Sequence, residues 1–119
     1  MAITRAQIDE LCAALPGATP AHPPELTSWK VGGKMFACFG GDGVMDGVSV
    51  KCRDLETAAM LIETGAAIRA PYFHASWVRL PFSEADPQDA RHRIEVSYDI
   101  VRASLPKAAR SALPQRGGI

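Results

Sequence analysis

The sequence has no Cys-x-x-Cys pair and no His-x-x-x-His pair. It therefore lacks the ligand spacings that announce a zinc knuckle or a helical metal site. It also lacks any run near the roughly 20 apolar residues of a membrane helix. Met1-Ala2-Ile3-Thr4-Arg5 places no apolar stretch behind its charge, which is not the pattern of a signal peptide. Cysteine is scarce: Cys12, Cys38 and Cys52 form an odd, irregularly spaced set. Such a set argues against a disulfide framework and fits a reducing compartment, so a cytoplasmic protein is expected. Surplus charge is missing as well, with Lys+Arg 13 balanced by Asp+Glu 13. A domain held to DNA by phosphate contacts usually carries excess Lys and Arg. Here a phosphate-binding surface has to come from segregated charge. From Arg102 onward Lys107, Arg110 and Arg116 meet no acidic residue, which is such a segregation on a modest scale.

The 119 residues suffice for one domain with a hydrophobic core of its own. Thr4 followed by Gln7 fits a capping box, with Ile3 and Ile8 at the staple positions. Ile8, Leu11, Cys12 and Leu15 then make one apolar stripe, and Pro16-Gly17 ends the helix. Residues 18 to 24 hold Pro20, Pro23 and Pro24 and read as a connecting loop. Two extended runs, Leu26–Val31 and Lys34–Phe39, flank Gly32-Gly33 and predict a tight hairpin, because primed turns need positive φ at both central positions. A looser Gly/Asp-rich turn leads to the alternating strand Val48–Cys52. Asp54 is expected to cap a second helix with Leu55, Ala58, Ala59 and Ile62 inward, and Gly65 suits the position past its end. A short extended segment at Ala67–Pro71 and an alternating strand at Trp77–Leu80 follow. Asp86-Pro87 starts a third helix with Ala90, Ile94, Ser97, Tyr98, Val101 and Leu105 inward, ended by Pro106. The expectation is an α+β fold, a mainly antiparallel sheet with helices packed against it. It spans residues 1–110, with 111–119 a flexible tail.

Strand alternation sorts the side chains. Val48 and Val50 share a face with Val78 and Leu80. The opposite face collects Trp29, Lys34, Phe36, Lys51, Trp77 and Arg79, where a two-residue turn pairs Val31 with Lys34 and Trp29 with Phe36. Aromatics interleaved with cations on an open sheet are how such sheets hold single-stranded nucleic acid. The same patch without phosphate would serve a protein partner.

Several blocks resemble the MmcQ/YjbR family: Lys30-Val31-Gly32-Gly33-Lys34-Met35-Phe36-Ala37, Val48–Cys52, Ala70-Pro71-Tyr72-Phe73-His74 through Trp77-Val78, Ser97-Tyr98-Asp99-Ile100-Val101, and Leu105-Pro106-Lys107. The resemblance implies a CyaY-like fold, related in shape to frataxin, and a DNA-binding label that rests on fold analogy. Its matching positions for phosphate are Lys34, Lys51 and Lys107, beside Trp77 and Tyr98. A frataxin-like iron site needs an acidic ridge on the first helix and the following strand, but the first helix offers only Asp9 and Glu10 and no carboxylate lies between Leu26 and Phe39, so iron delivery is not expected.

No catalytic constellation emerges. His22 sits in the proline loop, His74 is expected to hydrogen-bond backbone, and His92 lies between Arg91 and Arg93 on a helix surface. The glycines at 40, 41, 43 and 47 are followed by no Lys-Ser/Thr, so they read as a hairpin loop. The expectation is a non-enzymatic binding domain with no metal, no cofactor and no membrane partner. It contacts nucleic acid through Trp29, Lys34, Lys51, Trp77, Arg79 and Lys107, or else serves as a small protein-interaction module.

Overall fold

The computed structural model describes residues 3–22, 24–40, 47–70 and 73–114. The elements are α1 (Arg5–Ala13), β1 (Ala18–Ala21), β2 (Ser28–Val31), β3 (Lys34–Phe39), β4 (Gly47–Lys51), α2 (Leu55–Glu63), β5 (Ile68–Arg69), β6 (Trp77–Pro81), α3 (Pro87–Ala103) and α4 (Lys107–Ser111). Local chemistry accounts for the helix starts. In α1 the Thr4 hydroxyl accepts from Gln7 N–H while the Gln7 side chain accepts from Thr4 N–H. The Asp54 carboxylate accepts from Thr57 N–H at 2.7 Å at the start of α2. In α3 Asp86 accepts from the N–H groups of Gln88 and Asp89, with Pro87 in the first turn. Each device satisfies donors that a helix start leaves without partners.

One six-stranded antiparallel sheet runs in the order β1-β2-β3-β4-β6-β5. β1 lies where a loop is expected from its prolines. It is an edge strand, and Pro20 fits there because only one side of an edge strand needs its N–H groups. Gly32 and Gly33 turn the β2–β3 hairpin with φ of 58° and 81°. Val31 pairs with Lys34 as expected, but Trp29 pairs with Ala37 and not with Phe36. The extra residue is a β-bulge, and it breaks the period-two alternation. Phe36 and Ala37 are consequently both fully buried.

Phe36 meets the ring of Tyr98 on α3 edge-on at 5.3 Å. Trp29 is buried too, and its indole N–H donates to Asp9 of α1 at 2.8 Å. The bulge also opens the ladder between β3 and β4 beyond the Ala37–Val50 pair. Ser97 of α3 fills that opening. Its hydroxyl donates to Phe36 C=O at 2.6 Å and accepts from Lys51 N–H at 2.9 Å. All six residues expected inward on the third helix are buried. Ala90, Ile94, Tyr98, Val101 and Leu105 join one core with Ile8 and Cys12 of α1, the sheet valines and Leu80.

The C-terminal part is tied down. Tyr98 O–H donates to Pro16 C=O and accepts from Arg102, whose second amino group donates to Pro114 C=O. Ala109 and Leu113 pack against the core. Gly17, at φ 73°, leaves the space Leu113 occupies, since a Cβ there would stand 2.3 Å from Leu113 Cδ2. Leu113 and Pro114, in the expected tail 111–119, thus have contacts with the rest of the domain, and 115–119 lie outside the described residues. Among the described residues no helix is long and apolar enough to cross a membrane.

Candidate functional site

The six residues expected on one open face separate. Trp29 lies under α1 and Phe36 under α3, so neither ring faces solvent on the sheet surface. Arg79 does point away from Val78 and Leu80, opposite Ser49. It is nevertheless buried, lying along the sheet with Nε 3.4 Å from Ser49 Oγ and its guanidinium against Gly40. A Cβ at Gly40 would stand 2.7 Å from Arg79 Cζ, so the missing side chain makes the seat for that group. The face opposite the helices carries the row Ser28, Cys38, Ser49 and Arg79, joined across the strands and buried throughout.

Lys51 and Trp77 are cross-strand partners and half-buried. Antiparallel register brings Lys34, exposed beside the Gly32-Gly33 turn, to this same end of the sheet. Leu105 packs against Gly32, and the exposed Lys107 follows it on α4. This end therefore holds four of the expected residues. The groove beside Lys51 is lined by Arg53, Asp54, Glu56 and His74 among others, so two cations there face two carboxylates. Asp42 and Asp46, in the expected loose turn, lie outside the described residues.

α2 turns a different face inward than its sequence suggests. Ala58 and Leu61 are buried, whereas Leu55, Ala59 and Ile62 are exposed. The helix is apolar nearly all round, so periodicity does not choose its buried side. Leu55 is 55% and Ile62 40% exposed. They sit at i and i+7, with Ala59 between, and form one wall of a cleft of about 320 Å³. The other wall contains Phe73, stacked on Trp77 at 4.8 Å, with Ala70, Arg69 and His74. Among the described residues no carboxylate lines this cleft. It is the feature that sequence reading missed. The signal for it lies in Leu55 and Ile62, whose spacing by itself predicts a buried stripe.

His74 Nδ1 accepts from Ser76 N–H at 3.1 Å and lies 2.9 Å from Ser76 Oγ, closing the turn before β6 as a backbone-binding residue. Burial, with Asp9 adding to it, pushes the Cys12 thiol up to about 12. Burial also raises Cys38 against the pull of Arg79, and Cys52 against that of Arg93. All three thiols are free, buried and held protonated, the opposite of an activated nucleophile. The hydrogen bond from the Thr57 side chain, then that from its backbone, holds the Asp54 carboxyl below its usual range. Among the described residues no group of three or more His, Cys, Asp or Glu side chains is placed to hold a metal ion.

Comparison with known proteins gives a family and a fold. The YjbR family model matches residues 13–100. The crystal structure of Deinococcus radiodurans protein DR2400, a DUF419 domain, superimposes with a TM-score of 0.79 at 20% sequence identity, covering 92% of this chain and 86% of that one. At that identity the likeness is one of fold. No curated protein matches.

Proposed function

The chain belongs to the YjbR family, and because a family fold leaves the ligand open, we propose that it is a non-enzymatic module that binds another polypeptide through the cleft between α2 and the Phe73–Trp77 pair. One observation carries the reading. A nine-residue helix presents Leu55 and Ile62 to solvent directly beside two stacked aromatic rings. Exposed apolar surface gathered in one place, with aromatics at its centre, is typical of polypeptide contact sites. The protonated thiols and the turn-closing role of His74 favour binding over catalysis.

The second reading, single-stranded nucleic acid, draws on the common sheet end of Lys34, Lys51, Trp77 and Lys107. It is weaker because Trp29, Phe36 and Arg79 are buried and Asp54 and Glu56 offset the cations beside Lys51.

The test is to select peptides from a random display library on the full chain and titrate them by NMR. Shifts centred on the Trp77 indole and the Leu55 and Ile62 methyl groups are expected. Ile62→Asp should weaken binding at least tenfold with an unchanged melting temperature. Peptides that perturb only other surfaces would overturn the proposal. So would a thymidine oligonucleotide that perturbs Trp77 with affinity falling steeply as salt rises.

A further inference from the structure

The polar rim of the cleft says what kind of segment would occupy it. Among the described residues Arg69, His74 and Trp77 carry the charged and hydrogen-bonding side-chain groups of its lining, and the other side chains are apolar. Arg69 is exposed on the edge strand β5 and forms no ion pair among the described residues. His74 receives Ser76 N–H on Nδ1, so in the neutral ring the proton sits on Nε2, which leaves a donor and no acceptor. The described side chains thus pair an apolar floor with hydrogen-bond donors only. An apolar ligand would leave those exposed donors to water and gain nothing from them, whereas a carboxylate can take both, and the planar guanidinium matches its two oxygens.

We infer that the segment bound in this cleft is a peptide carrying an Asp or Glu side chain close to a large apolar anchor, with Arg69 as the recognising cation. The inference rests on the reading of the cleft as a polypeptide site. The anchor lies against Leu55, Ile62 and Trp77, and the acidic neighbour reaches the Arg69 side of the opening. A volume of about 320 Å³ is at the small end of ligand pockets and suits one large side chain with part of a neighbour.

The experiment compares selections on the unmodified chain and on the Arg69→Glu variant, from a library displayed with both peptide ends masked so that no terminal carboxylate competes. Sequences selected on the unmodified chain should place Asp or Glu within about two residues of Leu, Ile, Phe or Trp. Arg69→Ala should weaken them about two- to fivefold, in keeping with an exposed pair. Arg69→Glu should weaken them more than tenfold and select Lys or Arg at the acidic position. Ile62→Asp, run in parallel, separates the two levels of argument. Peptides that lose binding on Ile62→Asp but carry no acidic residue and ignore Arg69→Glu overturn this inference and leave the cleft standing. Peptides indifferent to Ile62→Asp overturn both. An oligonucleotide that displaces the selected peptides with a salt slope would overturn the peptide assignment.

Discussion

Replacing Ser97 by alanine tests how the sheet is completed. The hydroxyl is fully buried and has two backbone partners on neighbouring strands, Phe36 C=O at 2.6 Å and Lys51 N–H at 2.9 Å. Alanine keeps the helix propensity and the methylene but removes both bonds at once. Each stranded backbone group costs about 1–3 kcal/mol when no partner replaces the lost one. The sum is about 2–6 kcal/mol, against a total stability of about 6–18 kcal/mol for a domain of this size. A water cannot take over easily, since the space released is one oxygen atom wide and the methyl group remains. With a loss of about 3 kcal/mol and a urea m-value of about 2 kcal/mol per molar, the unfolding midpoint should fall by about 1.5 M at unchanged m. Hydrogen exchange supplies the local reading, in which the Lys51 amide should lose protection more than those of Val48 or Val50. Ser104→Ala is the control, because among the described residues Ser104 Oγ bonds only the carbonyl of Val101 one turn back. Its cost should stay within about 0.5 kcal/mol. If Ser97→Ala costs less than about 1 kcal/mol and the Lys51 amide stays protected, the strands close without the serine and the reasoning fails.

Two further outcomes follow from the same geometry. Tyr98→Phe removes the hydroxyl that links Pro16 to Arg102 and costs about 1–3 kcal/mol, and it should free the 107–114 segment, read as faster tryptic cleavage after Arg110. Cys12 predicts alkaline sensitivity: the folded thiol titrates near 12 and the unfolded one near 9.0, so the folded state binds more protons above pH 9.0 and stability falls as pH rises from there towards 12. The Cys12 share of the slope should approach about 1.4 kcal/mol per pH unit, measured as the difference between urea melts of the unmodified chain and Cys12→Ala, because burial also raises Cys38 and Cys52 and they keep a slope of their own in the variant.

Much of the architecture is local chemistry, legible from neighbours in the chain. A capping box acts between Thr4 and Gln7, a side-chain cap between Asp54 and Thr57, and a primed turn at Gly32 and Gly33. The buried stripe of α3 repeats over consecutive turns, and the separation of Val48 and Val50 from Ser49 and Lys51 follows from the pleat. The candidate site was legible only in part. Lys51 and Trp77 do become cross-strand neighbours, because alternation and register carried them there.

What no window of sequence contains is how the elements meet. The bulge at Phe36 is held by Ser97, 61 residues away, and it turned an expected surface ring into core. Trp29 was buried by Asp9 across 20 residues, and Arg79 by a seat at Gly40. On α2, apolar on nearly every side, packing against β5 and β6 chose Ala58 and Leu61 and left Leu55 and Ile62 outside. Caps and turns depend on atoms a few bonds apart, so the sequence alone determines them. Which face is covered depends on the competition among all surfaces for burial, which only the assembled tertiary structure decides.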